Sequence, residues 1–203
     1  MSVLAYDAAD VPPALAAQAA ALEEQAWPGS TPGHDPALAP RVMLLLDEPG
    51  AGAEAGTGTG TEPGAGTVAA ALTLLHKEIR HAGRTYRAAG LSAVVTRADA
   101  RGRGHGGRLV AAARAALADR PGPDLALFSC DRELAPFYEA AGFRRLPGTV
   151  LVGGTPEDPL ATDAPGMDKV VMAALFSETA KADPAAFAGT RIGLYPGTID
   201  RLW

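Results

Sequence analysis

The chain has little of what staples small or secreted folds together. Its single cysteine, Cys130, excludes an intrachain disulfide and a multi-cysteine zinc site. Its four histidines, His34, His76, His81 and His105, stand at no metal-ligand spacing, so no metal is expected. Aromatic residues make up only 5% of the chain, which leaves the core to be built from aliphatic side chains. No apolar run reaches the roughly 20 residues of a membrane-spanning helix, so no membrane partner is expected. Met1-Ser2-Val3-Leu4-Ala5-Tyr6-Asp7 carries no basic residue and does not read as a signal peptide. The expectation is a soluble cytoplasmic protein. An excess of positive charge is also missing. The net charge of −5 argues against a nucleic-acid partner.

What is present is a 203-residue chain, 47% hydrophobic and rich in alanine, long enough for one domain over residues 1–203. Its charge is segregated. Residues 1–66 carry −8, residues 67–150 carry +6 and residues 151–203 carry −3. A basic middle between acidic flanks suits an anionic cofactor beside a cationic substrate.

The basic part is organised around Val94-Val95-Thr96-Arg97-Ala98-Asp99-Ala100-Arg101-Gly102-Arg103-Gly104-His105-Gly106-Gly107-Arg108-Leu109-Val110. A short apolar run reads as a strand, a Gly/Arg run as a loop, and the apolar pattern Leu109 to Leu117 as a helix. Backbone N–H groups at a helix start share one direction and bind phosphate well. Glycines let the phosphate approach the backbone, and Arg101, Arg103 and Arg108 add fixed charge suited to it. The segment reads as a pyrophosphate cradle. Gly102-x-Gly104-x-x-Gly107 also satisfies the dinucleotide-binding pattern, but six residues separate Val95 from Gly102, too many for the tight turn of that motif.

Around this cradle the pattern predicts a strand over Ser2 to Tyr6, a helix over Ala14 to Trp27 and a loop from Gly29 to Pro40. Arg41 to Asp47 reads as a buried strand. Residues 50–66 are nearly all Gly, Ala, Thr, Glu and Pro and read as a flexible hairpin loop. Thr67 to His81 and Arg84 to Thr96 form a long hairpin around Ala82-Gly83. Asp124 to Ser129 is the next strand, Asp131 to Ala141 holds a short helix stopped by Gly142, and Phe143 to Val152 returns as strand. Gly153 to Gly166 reads as loop, Met167 to Phe176 as the last strand, and the rest as irregular.

Arg101-x-x-Gly104-x-Gly106 is similar to the (Arg/Gln)-x-x-Gly-x-(Gly/Ala) signature of the GNAT acyltransferases, and Leu91 to Thr96 resembles their preceding strand. Asp131 to Phe143, with Phe137-Tyr138-x-x-x-Gly142-Phe143, resembles the second helix motif of the same family, Asp131 standing where Asn is usual. The resemblance covers residues 67–152 best. It implies an α/β (α+β) GNAT fold: a mixed, mostly antiparallel sheet splayed between two parallel strands, Leu91–Thr96 and Asp124–Ser129, and flanked by helices. It implies acetyl-CoA as cosubstrate. The backbone of Val94, Val95 and Thr96 would pair with its pantetheine arm, and Arg101, Gly102, Arg103, Gly104, His105, Gly106 and Gly107 would hold its pyrophosphate. Tyr138 would act on the leaving thiolate.

The stretch Ala126 to Cys130 through Tyr138 to Phe143, and the ending Thr198-Ile199-Asp200-Arg201-Leu202-Trp203, resemble the aminoglycoside 2′-N-acetyltransferases. The likeness implies an antibiotic-resistance enzyme, with residues 177–203 as a C-terminal extension near the acceptor. Ser92, Ser129, Asp200 and Trp203 would line the pocket for a small-molecule amine. Ser92 stands where many members place a glutamate, and serine cannot serve as that base. Glu78, Asp200 and the terminal carboxylate are the candidates for it. Cys130 reads as a bystander, His105 as a backbone donor, and His76 and His81 as hairpin-surface residues. A homodimer is the favoured assembly, by analogy with the family. The other readings are a non-catalytic acyl-CoA sensor, a peptide N-acetyltransferase and a nucleotide-dependent oxidoreductase.

Overall fold

The computed structural model describes residues 1–30, 33–47, 66–119, 121–197 and 199–203. The flexible loop expected over 50–66 falls outside these residues except for Gly66. Five strands follow the sequence pattern closely: β1 (Ser2–Asp7), β2 (Arg41–Asp47), β3 (Thr67–His81), β4 (Arg84–Thr96) and β5 (Leu125–Asp131). Helix α1 (Pro13–Ala26) opens on the proline that pre-sets its first turn. Helix α2 (His105–Ala118) starts four positions before the expected Leu109, because the glycines themselves form its first turn.

Three stretches differ from expectation. Phe143 to Val152 is not one strand. Gly142, at φ +91°, closes helix α3 (Ala135–Ala140), and a two-residue strand β6 (Arg144–Arg145) joins the main sheet. Strand β7 (Val150–Gly154) then enters a second sheet. The loop expected over 153–166 contains β8 (Pro159–Ala161). Beyond β9 (Lys169–Leu175) the tail is not irregular: it forms α4 (Glu178–Ala182) and β10 (Arg191–Gly193). These elements are too short to carry a readable period.

Among the described residues the main sheet runs β1-β2-β3-β4-β5-β9-β6 and the small sheet β10-β7-β8. The pairs β4–β5 and β10–β7 are parallel and the others antiparallel. Strand alternation divides the core. Met43, Leu45, Ala70, Leu72 and Phe128 pack towards α2 and α3. Leu44, Leu46 and Ala71 pack under α1, and Leu125, Leu127, Val171 and Ala173 pack with Leu151 and Ile192 of the small sheet. Helix α1 and the small sheet therefore share one face, and α2 and α3 hold the other.

Two irregularities open this sheet. β4 and β5 are in register only at Ala88–Leu125 and Ala89–Ala126, so from Gly90 onward the β5-facing edge of β4 has no ladder partner among the described residues. The β3–β4 register also slips between Ala71–Val95 and Thr73–Ser92, with Ala93 at φ +49°. The extra residue is a β-bulge, and it reverses which side chains face which layer. Ala89 and Leu91 face the α2 core, while past the bulge it is Val94 that faces that side and Val95 that packs under α1. Among the described residues no helix is long and apolar enough to cross a membrane.

Candidate active site

At one end of the splay, β4 runs through a short turn into α2. Arg101 to Gly104 are exposed, and Gly102 (φ +73°) and Gly104 (φ +80°) adopt the left-handed conformation that glycine takes without strain. A Cβ at either position would meet nothing within 4 Å, so open space lies before the loop. Gly104 caps α2 with no side-chain hydrogen bond, leaving the first-turn N–H groups of His105, Gly106 and Gly107 directed outward. Gly106 is buried, and a Cβ there would stand 2.8 Å from Thr96 Oγ1, which ties the helix start to the strand end. Arg101 Nε donates to the Thr96 carbonyl at 3.1 Å, Arg108 donates to the Met1 carbonyl at 3.0 Å, and Arg103 is exposed. A cradle of outward amides beside arginines fits a pyrophosphate.

Tyr138, on α3, lies beneath the splay with its ring against Phe128 (4.9 Å between centroids) and Phe137 (4.9 Å). Burial, reinforced by Cys130 and Asp131, pushes its phenol well above the usual range, so the hydroxyl keeps its proton. Cys130 is buried and pushed up to about 11 by desolvation and then by Asp131, which makes it a poor nucleophile. Asp131 does not cap its helix as its place in the motif suggests. Its carboxylate accepts from Lys169 at 2.7 Å instead.

At the other end lies a cleft of about 560 Å³ lined by Glu23, Trp27, Ser30, Gly33, His34, Ser92, Ala93, Ile199, Asp200 and Trp203. The tail builds much of it. Lys77 donates to the carbonyls of Leu194 and Pro196, the latter at 3.0 Å, and lies over the Trp203 ring. The Arg201 guanidinium donates to the Asp158 carbonyl at 2.7 Å. The indole covers Gly90 so closely that a Cβ there would stand 2.3 Å from it. Asp200 accepts from His34 Nδ1 at 2.7 Å and from the Asp35 N–H at 2.8 Å.

Of the residues expected at the acceptor, Ser92, Asp200 and Trp203 line this cleft. Ser129 does not: it pairs with Val171 in the β5–β9 ladder. Glu78 is exposed and opposes Arg87 on the distal hairpin, so it is placed away from the cleft. His76 and His81 are part-buried rather than surface residues, and His81 Nε2 lies 2.7 Å from the Ala186 carbonyl. Glu23 and His34 carried no sequence signal. They reach the cleft only through the tertiary packing of α1 and the following loop. A second cavity, of about 410 Å³, lies beside Arg87 and Asp119 at the opposite end of β4 from Ala93.

The two cleft carboxylates sit in opposite environments. Burial raises Glu23 above its ordinary value of 4.5, with His34 opposing. Burial would raise Asp200 too, but hydrogen bonds from His34 and Asp35, with the charges of His34 and Lys77, hold it below its ordinary 3.8. A raised folded value means that ionised Glu23 costs stability at neutral pH, and the cost disappears as pH falls through that value towards 4.5. A lowered folded value means that Asp200 contributes stability above 3.8 that is lost as pH falls through its folded value. Thermal unfolding across pH is therefore expected to show Glu23→Gln raising Tm at neutral pH, with the gain fading in acid. Asp200→Asn is expected to lower Tm at neutral pH, with the deficit fading in stronger acid.

Residues 52–146 match the family model described as an acetyltransferase (GNAT) domain. With the splayed β4–β5 pair, the bulge and the glycine cradle, this decides the architecture. The fold is the GNAT fold. An acyl-CoA N-acyltransferase from Pseudomonas aeruginosa superposes with a TM-score of 0.52 at 17% identity, covering 85% of this chain and 97% of that one. An aminoglycoside 6′-N-acetyltransferase complexed with coenzyme A gives 0.53 at 13% identity, covering 87% and 98%. A chain of the NatC complex bound to Gag peptide and CoA gives 0.50 at 13% identity, covering 87% and 100%. No curated protein matches the chain in sequence. At these identities the structural likenesses speak for the GNAT fold alone.

Proposed function

We propose that the protein is an acetyl-CoA-dependent N-acetyltransferase acting on a small cationic amine, with an aminoglycoside-type polyamine as the favoured acceptor. One observation carries this reading. The β4 strand parts from β5 after Ala89, and its freed stretch lies between the glycine turn that starts α2 and a cleft lined by two carboxylates and two tryptophans. The cradle suits a pyrophosphate, and the open backbone of Val94 to Thr96 suits the amides of a pantetheine arm. Glu23 and Asp200 suit ammonium groups, and the faces of Trp27 and Trp203 suit cations and sugar rings. Acetyl-CoA supplies the activated acyl group. Tyr138 would stand at the leaving sulfur. One neighbour, an aminoglycoside 6′-N-acetyltransferase complexed with coenzyme A, has an acceptor of that class by its name, and the ending Thr198–Trp203 resembles that of the aminoglycoside 2′-N-acetyltransferases.

The test is a thermal-shift and thiol-release screen with acetyl-CoA against aminoglycosides, polyamines, amino acids and short peptides. Stabilisation by CoA with release dependent on a polyamine acceptor is the expected result. Stabilisation without release from any amine would favour the acyl-CoA sensor, a reading supported by serine at position 92. Release only with peptides would favour a peptide acceptor. No response to CoA would overturn the proposal.

A further inference from the structure

Resting on that acetyl-transfer reading, we propose that His34 is the general base that takes the proton from the acceptor ammonium, held in its working tautomer by Asp200. Ser92 lines the cleft, and its hydroxyl is no base for an ammonium. His34 shares the cleft with Ser92 and with Ala93 of the bulge, and its imidazole is a nitrogen base. Its Nδ1 lies 2.7 Å from Asp200 Oδ1, and the other carboxylate oxygen is fixed at 2.8 Å by the Asp35 N–H. With both oxygens engaged the carboxylate cannot turn away. It can only accept, so in the neutral imidazole the hydrogen is on Nδ1 and the lone pair on Nε2. Nε2 has no hydrogen-bond partner among the described residues, and the imidazole retains 15% of its accessibility against 7% for the Asp200 side chain.

The charged groups around the pair fit this role. Two carboxylates, Glu23 on α1 and Asp200, interact electrostatically with His34. The Lys77 ammonium on β3 is turned onto the Leu194 and Pro196 carbonyls. His34 Nε2 takes one proton from the ammonium and later returns it to solvent. The neutral amine forms the new C–N bond, and the C–S bond breaks with its electron pair going to sulfur. The second nitrogen proton reaches sulfur through the Tyr138 hydroxyl, which gives one proton and takes one. His34 touches the reacting amine in this scheme; Asp200 is a positioning residue.

The test combines kinetics with a spectroscopic readout that needs no cosubstrate. In the acceptor-free protein, nitrogen-15 NMR of the imidazoles is expected to show His34 protonated at Nδ1, and Asp200→Ala to lose that preference. His34→Gln is expected to lower kcat about 10²-fold or more. It should also abolish the acid limb of the kcat/KM–pH profile and leave stabilisation by CoA unchanged. Asp200→Asn keeps an acceptor for Nδ1–H without the charge, so the acid limb should move to lower pH with an intermediate kcat. Glu23→Gln should raise KM for the amine while the acid limb remains. A His34 protonated at Nε2, or His34→Gln with wild-type kcat and an intact acid limb, would overturn the base assignment and leave the acetyltransferase reading standing. Wild-type protein that binds CoA and acetylates no amine would overturn both.

Discussion

Replacing Tyr138 by phenylalanine is expected to lower kcat by about 10²- to 10³-fold, the range that loss of one preorganised donor produces. Affinity for CoA should barely change. The substitution isolates one atom. The ring is held edge-to-face by Phe128 and Phe137, with Phe143 behind, and a phenylalanine ring keeps all of these contacts. The hydroxyl makes no hydrogen bond to the described residues, so its removal strands no buried partner. Its chemistry follows from its environment. Burial raises the phenol, whereas an ordinary thiol ionises near ~8.5. Complete proton donation to a thiolate therefore runs uphill. What Tyr138 can supply is a hydrogen bond to charge growing on sulfur, with its proton replaced as it leaves. Thiol-release kinetics beside CoA thermal shifts check this. A Tyr138→Phe protein with unchanged kcat would remove the residue from the reaction.

What the sequence made legible and what it hid divide along the range of the interactions involved. The strand–loop–helix around Gly102 to Gly107 was readable because a strand end, glycines at positive φ and a helix start are local features. Each is set by residues within a few positions of one another. The hairpin was readable because fifteen residues of β3 keep one extended pattern. The splay that follows is not local. It is the outcome of β4 pairing with β5 at two positions and then parting, and the bulge at Ala93 is set by β3 across the ladder. The small sheet is illegible for another reason. β8 and β10 have three residues each, too few to show an alternation. His34 and Glu23 lie at the extreme. His34 meets Asp200 across 166 positions of sequence, and a histidine in a Gly/Pro-rich loop carries no local mark of such a partner. The acidic cleft was foreshadowed only in bulk, by the charge of the first and last segments of the chain.

Adding one methyl group at Gly153 is expected to dismantle the acceptor side while sparing the cosubstrate side. A Cβ on Gly153 would stand 1.4 Å from the Arg201 carbonyl oxygen, a backbone atom that no rotamer change can move away. Gly153 has no positive φ, so alanine brings no backbone strain and the clash is the whole perturbation. Either β7 shifts or residues 199–203 leave. β7 is held on both sides, by β8 and β10, and its Leu151 is fully buried. The tail end has no ladder among the described residues and is held by side chains: the Arg201–Asp158 link, Asp200 on His34 and the Asp35 N–H, and the Trp203 indole between Lys77 and Gly90. The tail is therefore the part that yields. Its departure removes Asp200 from His34 and uncovers Gly90, so kcat/KM for the amine should fall by about 10²-fold or more. The cradle from Arg101 to Gly107 touches none of these residues, so stabilisation by CoA should persist. Proteolysis should cut the tail faster in Gly153→Ala than in the wild type. Gly90→Ala, whose Cβ would strike the indole at 2.3 Å, should expel Trp203 from the other side and reproduce the loss. Equal loss of CoA binding and amine turnover in Gly153→Ala would mean that the sheet had moved instead, and that the tail is a buttress of the fold rather than a wall of the acceptor cleft.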